Sequence, residues 1–255
     1  MRATQALLLL LGILATPAPV FAQRARAARV PDLSRLLVIT AHPDDESLFA
    51  PLLGARCGIT AECTLLVMTH GENGPCVLPA GCGPDLAATR SAELTAAAAF
   101  LQSRLELWTL PDVMSDVVEQ WGGHDALVQR MAEAIDGVRP TAILTFDPAH
   151  GTTCHPAHRA VGAAVAEAAG ERDVYFIETR ATVDAGRYML SRAIDRASTT
   201  LMFVVAASWH FMVDDMRVHA SQFTETAIES VADISDRTIV MIPASATASY
   251  NHPCD

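Results

Sequence analysis

The stretch Ala41-His42-Pro43-Asp44-Asp45-Glu46-Ser47 sets an imidazole beside three successive carboxylates. Side chains of these types bind divalent cations and move protons. We read His42 and Asp45 as metal ligands and Asp44 as the group that handles protons beside them. A plain turn with an Asp helix cap would use the same residue types, so the stretch needs a partner. Cys154-His155-Pro156-Ala157-His158-Arg159 supplies one: its two histidines stand three positions apart, just ahead of a helical run, and can face one point. Protein ligands drawn from His and Asp, three in all, leave one or two positions open, which is the layout of a catalytic zinc site; a structural site closes all four. Such a metal lowers the pKa of water and polarises a carbonyl. One further group must then take the water proton, and another must serve the leaving amine. Asp44 and His155 are free for those tasks. Glu46 caps the next helix or orients a ligand. Cys154 is read as part of an oxidised bridge rather than as a nucleophile.

These residues need elements that bring them together. Apolar runs at 36–40, 63–69, 105–110, 142–146 and 174–178 read as strands, and runs rich in Ala and Leu at 48–56, 85–103, 124–138 and 156–169 suit helices. Apolar strands alternating with helices indicate a parallel sheet covered on both faces, a doubly wound α/β domain. The first motif ends strand one and the second follows strand four. In such sheets those strands are commonly neighbours at the switch point, where ligands bind. The connections at 70–84 and 147–155 are long, which marks them as functional or braced. Further on, 200–207 reads as a sixth strand or a buried helix, 213–228 as a helix and 237–243 as a last strand.

Half of the 255 residues are hydrophobic and the net charge is −11. The composition supports a sizeable core and argues against general nucleic-acid binding, which needs clustered Lys and Arg. Residues 1–22 read as a signal peptide, with Arg2, an apolar run at 6–15, a break at Thr16-Pro17-Ala18-Pro19 and a small-residue cleavage pattern at Val20-Phe21-Ala22. The apolar run is shorter than the roughly 20 residues that a membrane span requires. The expectation is a secreted or periplasmic protein with one domain over 23–255 and no membrane span after cleavage. The six cysteines agree with export, and their spacing suggests the pairs Cys57–Cys63 and Cys76–Cys82, with Cys154 and Cys254 left for each other.

Ala-His-Pro-Asp-Asp-Glu after a first strand, with His-Pro-x-His after a fourth, resembles the PIG-L/LmbE-like family of metal-dependent N-deacetylases. Thr69-His70-Gly71-Glu72-Asn73-Gly74, Arg90-Ser91-Ala92-Glu93-Leu94, Leu110-Pro111-Asp112 and His219-Ala220-Ser221-Gln222 resemble further family segments. The resemblance spans roughly 34–225. It implies a Rossmann-like three-layer domain with a mostly parallel sheet. It also implies zinc, or another divalent metal, on His42, Asp45 and His158. Asp44 would be the general base, and His155 would stabilise the oxyanion or protonate the amine. Arg90 and Asp112 would reach the substrate. The implied reaction is deacetylation of a small N-acetylated sugar or glycoconjugate. The alternatives are an amidase acting on a larger acyl or thiol conjugate, or a non-catalytic carbohydrate-binding relative. One departure stands out: the family usually has Asp or Asn where this chain has Ala157.

Overall fold

The computed structural model describes residues 31–179, 201–235 and 237–244. Chain order runs β1 (Arg35–Thr40), a 3-10 turn (Asp45–Leu48), α1 (Ala50–Gly54), β2 (Glu62–Thr69), α2 (Leu86–Phe100), β3 (Arg104–Leu110), α3 (Val117–Gln120), α4 (His124–Val138) and β4 (Ala142–Thr145). It continues through α5 (Pro156–Ala168), β5 (Val174–Thr179), β6 (Leu201–Val204), a 3-10 turn (Ala206–Ser208), α6 (His210–Val218), α7 (Glu225–Ala232) and β7 (Thr238–Pro243). The expected signal peptide and Cys254 lie outside the described residues.

The strands form one seven-stranded sheet in the order β3-β2-β1-β4-β5-β7-β6. From β3 to β5 every neighbouring pair is parallel. Only β7 runs against its two neighbours. The α/β class and the mostly parallel sheet follow from the composition of the strands. β1 and β2 are buried at every position after the first, and β4 throughout, as strands covered on both faces must be. β3, at the edge, is only half-buried.

Strand alternation splits the core in two. Leu36, Val38, Leu65 and Val67 point into one layer with Leu94, Leu101, Trp209, Met212 and Met216. Leu37, Ile39, Leu66 and Met68 point into the other with Leu127, Met131, Ile135, Val161 and Val165. Leu127, Met131 and Ile135 recur at four-residue spacing, so α4 lays a single stripe on the sheet. Each fully buried leucine in these layers carries about 2–5 kcal/mol against truncation to alanine.

Two regions differ from the sequence-based expectation. The run 48–56 is a 3-10 turn followed by a five-residue helix. The expected helix over 213–228 is two helices, α6 and α7, separated at 219–224. The break has a physical cause. His219 and Ser221 are buried and bonded to Glu46 and Glu93. Thr224 then caps α7 by accepting from the Ala227 N–H. The ambiguous run at 200–207 contains a strand, β6. Both local disulfides form as their spacing suggested, Cys57–Cys63 and Cys76–Cys82. Cys154 is disulfide-bonded as well. Among the described residues no helix is long and apolar enough to cross a membrane.

Candidate active site

The order of strands reverses between β1 and β4, and both histidine motifs leave the sheet there, at the carboxyl ends of the strands. The Thr145 hydroxyl donates to the Ile39 carbonyl at 2.9 Å, tying the two strand ends together. Beyond β1 the chain turns sharply, and Asp44 adopts φ 107°. Beyond β4 it forms an irregular loop before Pro156 opens α5. Helix α5 approaches very closely: a Cβ on Gly162 would lie 2.3 Å from the Phe146 carbonyl oxygen. That approach lets the His158 ring stack on Phe146 at 4.1 Å and 10°.

The side chains converge. His158 Nε2 lies 3.0 Å from Asp45 Oδ1 and 3.3 Å from His42 Nδ1. His42 Nδ1 lies 3.5 Å from Asp45 Oδ2. The backbone N–H groups of Ala41 and His42 both donate to Asp45 Oδ2, at 3.1 and 2.8 Å. They fix that carboxylate and leave Oδ1 for His158. His158 Nδ1 faces two oxygens, the Gly151 carbonyl at 3.0 Å and the Thr153 hydroxyl at 2.7 Å. A carbonyl only accepts, so Nδ1 carries the proton and Nε2 presents its lone pair to Asp45. Two acceptors aimed at each other across 3.0 Å require a proton or a cation between them. On the far side of the His42 ring, Nε2 stands 3.3 Å from Asp112 Oδ1. A carboxylate behind a ligand imidazole is the usual way its orientation is set. The donor set therefore fits a divalent metal.

The electrostatics agree. Burial disfavours the His42 cation, but Asp112 and Asp45 outweigh it and raise the ring to about 10. Burial likewise opposes the Asp45 and Asp112 anions. His158 and His42 hold Asp45 well below the usual carboxylate range, and His42 lowers Asp112. This point of the protein favours positive charge. His155, half-buried, goes the other way: burial and then the neighbouring His42 and His158 push it down to about 4. Its Nδ1 accepts from the Ala157 N–H at 3.2 Å and so caps α5. Ala157 is fully buried in the core.

Asp44 keeps 21% of its side chain exposed. Burial pushes its carboxyl up to about 7, with the Arg90 guanidinium pulling against the shift. Arg90 donates to Asp44 Oδ2 at 2.9 Å, to the Pro43 carbonyl at 2.5 Å and to the Gly71 carbonyl at 2.9 Å. It is only 3% exposed. Gly71 and Gly74 make room for it, because a Cβ on either would meet its guanidinium at 2.3 Å. Asp112 is 6% exposed and accepts from the Asn73 N–H at 3.1 Å. All seven expected residues, His42, Asp44, Asp45, Arg90, Asp112, His155 and His158, thus meet at one end of the sheet. The structure adds Gly151 and Thr153, which orient His158, and Glu72, which accepts from the Asp112 N–H at 2.8 Å. Thr153 lies in the long loop that already stood out; nothing in its own sequence context singles it out.

A mostly parallel sheet with an imidazole–carboxylate cluster at its switch point defines a doubly wound α/β protein. The chain belongs to the PIG-L family, and residues 37–169 match the family model described as GlcNAc-PI de-N-acetylase. A 1D-myo-inositol 2-acetamido-2-deoxy-alpha-D-glucopyranoside deacetylase of Nakamurella multipartita is 35% identical over 153 residues, 50% of this chain and 52% of that protein. The chain thus spans about half the length of that curated relative. Two solved structures share the fold. A 4-carboxy-2-hydroxymuconate hydratase from Pseudomonas putida aligns with a TM-score of 0.62 and 14% identity, over 86% of this chain and 99% of that one. The N,N′-diacetylchitobiose deacetylase of Pyrococcus horikoshii aligns with a TM-score of 0.60 and 15% identity, over 84% and 85%.

Proposed function

We propose that the protein is an exported, zinc-dependent N-deacetylase that hydrolyses the acetamide of a small N-acetylated sugar or glycoconjugate. One observation carries the reading. His42, Asp45 and His158 converge within 3.5 Å beside a carboxylate, Asp44, that remains partly open to solvent. Family membership and the activity named for the Nakamurella relative supply the substrate class. The disulfides support export, since such bonds persist in oxidising compartments.

In this reading His42, Asp45 and His158 hold the metal, which supplies Lewis acidity to water and to the amide carbonyl when bound. Asp44 accepts the proton of the attacking water and returns it to the departing nitrogen as the C–N bond breaks; the amine keeps both protons of the water, so that amide and water become acetate and protonated amine. His155 acts as a neutral donor. Its Nδ1 is occupied by the Ala157 N–H, which leaves the ring proton on Nε2, free to bond the developing oxyanion. Arg90 and Asp112 act on the substrate through the groups they hold, Asp44 and His42.

The test is acetate release from a panel of N-acetylated sugars and conjugates, with and without chelator. Acetate that disappears on chelation and returns with zinc is the expected result. Amine release without acetate would replace this reading with an amidase of larger acyl or thiol conjugates. Binding of the sugars with no amine released would make the protein a carbohydrate-binding relative.

A further inference from the structure

A second cluster lies behind the first. Glu46, Asp215 and His219 are fully buried, and their ligand-type atoms lie within 4.8 Å of one another. His219 sits at the end of α6, 173 positions from Glu46, and its Nε2 pairs with Glu46 Oε1. The other Glu46 oxygen, Oε2, accepts from the backbone N–H of Asp44 at 3.0 Å. One residue on, the Ser47 hydroxyl donates to Asp215 Oδ2 at 2.7 Å. Helix α6 therefore grips the turn after β1 at two successive residues.

What that grip acts on is Asp44. Its backbone lies at φ 107°, ψ −23°, in the left-handed half of conformational space. Asp enters the left-handed region at φ about +60° more readily than most residues, but φ 107° lies well outside that basin, so surrounding structure must hold it in place. Arg90 holds the carboxylate of Asp44, and Glu46 holds its N–H. Neither Glu46 nor His219 is exposed to substrate, so any effect of theirs on turnover passes through their neighbours: through the turn they hold, or through their charges acting on Asp44.

We infer that Glu46 and His219 are positioning residues for Asp44: His219 fixes Glu46, and Glu46 holds the Asp44 backbone in the conformation that sets the direction of its carboxylate. The functional half of this inference rests on Asp44 being the base of the proposed deacetylase; the conformational half does not.

The experiment uses the full-length zinc-loaded protein, with N-acetylglucosamine and N,N′-diacetylchitobiose as probes. Glu46→Ala and His219→Leu are expected to lower kcat roughly 10²-fold, the cost of about 1 Å of misplacement at a reacting group. KM and the zinc content of one ion per chain stay unchanged. His219→Gln, which keeps a donor for Glu46, recovers most of the loss. Crystals of the zinc-loaded native chain keep Asp44 at positive φ with its N–H on Glu46. Those of Glu46→Ala show it relaxed to negative φ. If the alanine chain does not fold, Glu46→Met, similar in volume and without an acceptor, takes its place. Native kcat in both disrupted variants overturns the inference, as does loss of zinc in step with activity. An unmoved Asp44 in the Glu46 variant also overturns it. Two zinc ions per native chain would make the rear cluster a metal site instead. If the native chain releases no acetate from either probe, the deacetylase reading fails for these sugars, and the crystals alone still decide whether Glu46 holds Asp44.

Discussion

His42, Asp45 and His158 in front of the turn at 42–47, and Glu46, Asp215 and His219 behind it, are built from the same two side-chain types. In front, two imidazoles and a carboxylate bring lone pairs together, with the half-buried His155 and the part-exposed Asp44 alongside. Behind, Glu46 is answered by His219 and by the Asp44 N–H, and Asp215 Oδ2 by Ser47; Asp215 Oδ1 and His219 Nδ1 have no hydrogen-bond partner among the described residues, and all three members are sealed from solvent. The contrast teaches that composition does not mark a reactive site. Both clusters hold unanswered polar atoms; what sets the front one apart is its route to water through Asp44 and His155.

The largest expected effects fall on the front cluster. His158→Ala should lose bound zinc by elemental analysis and, with it, detectable acetate release. Asp44→Asn should keep the metal while kcat falls by about 10²- to 10⁴-fold, the range for removing an acid–base group. Full metal and turnover in the His158 variant would erase the distinction between the clusters.

The next effect separates them by stability. His219→Leu leaves Glu46 buried without its partner, which costs about 3 kcal/mol in urea unfolding. His155→Ala in front removes a half-exposed helix cap and should cost about 1 kcal/mol. Equal costs would mean that the rear cluster is not a closed ion pair.

pH gives a smaller difference whose sign is fixed. Burial opposes the His219 cation, but Glu46 raises it to about 9, above its ordinary 6.5. Its contribution is therefore fully present below pH 6.5 and is lost as pH rises through 9. Burial, with Glu46 second, pushes Asp215 up to about 8 from 3.8, so its contribution also falls with rising pH, and is spent by pH 8. Thermal stability of the zinc-loaded protein should drop from pH 6.5 to 9, and His219→Gln should flatten that slope. A slope unchanged in the variant would place the titration elsewhere.

The smallest effect is expected at Thr153→Val. It removes one of two oxygens on His158 Nδ1 and leaves the Gly151 carbonyl. Zinc affinity should fall by no more than about 10-fold in a competition titration, the low end for groups behind a ligand.

Much of the front cluster was legible because its cues are local. Continuous apolar runs give β1 and β4, and the histidine motifs follow them directly, so a parallel topology brings them together. The rear cluster was not legible as a unit. Glu46 and His219 are far apart in sequence, and neither stretch alone names the other as its partner. Arg90 shows the same limit. The resemblance assigned it to substrate, but nothing in its own helix showed that Gly71 and Gly74, at the start of a loop, open the space that buries it. The break between α6 and α7 was missed because helical composition continues through 219–224, and only the buried bonds of His219 and Ser221 override it.

The absence of a side chain at Gly162 has a reach beyond its own turn of helix. It sits four residues after His158 on α5, against the backbone carbonyl of Phe146, one residue past the end of β4. A single methyl there would have no space to occupy, so the helix would have to lift, and the imidazole riding on its first turn would lift with it. The distance between the two halves of the site, one from each side of the switch point, is thus set by the thickness of a bare backbone. Here a hydrogen atom serves as the spacer that sets how closely His158 approaches His42 and Asp45.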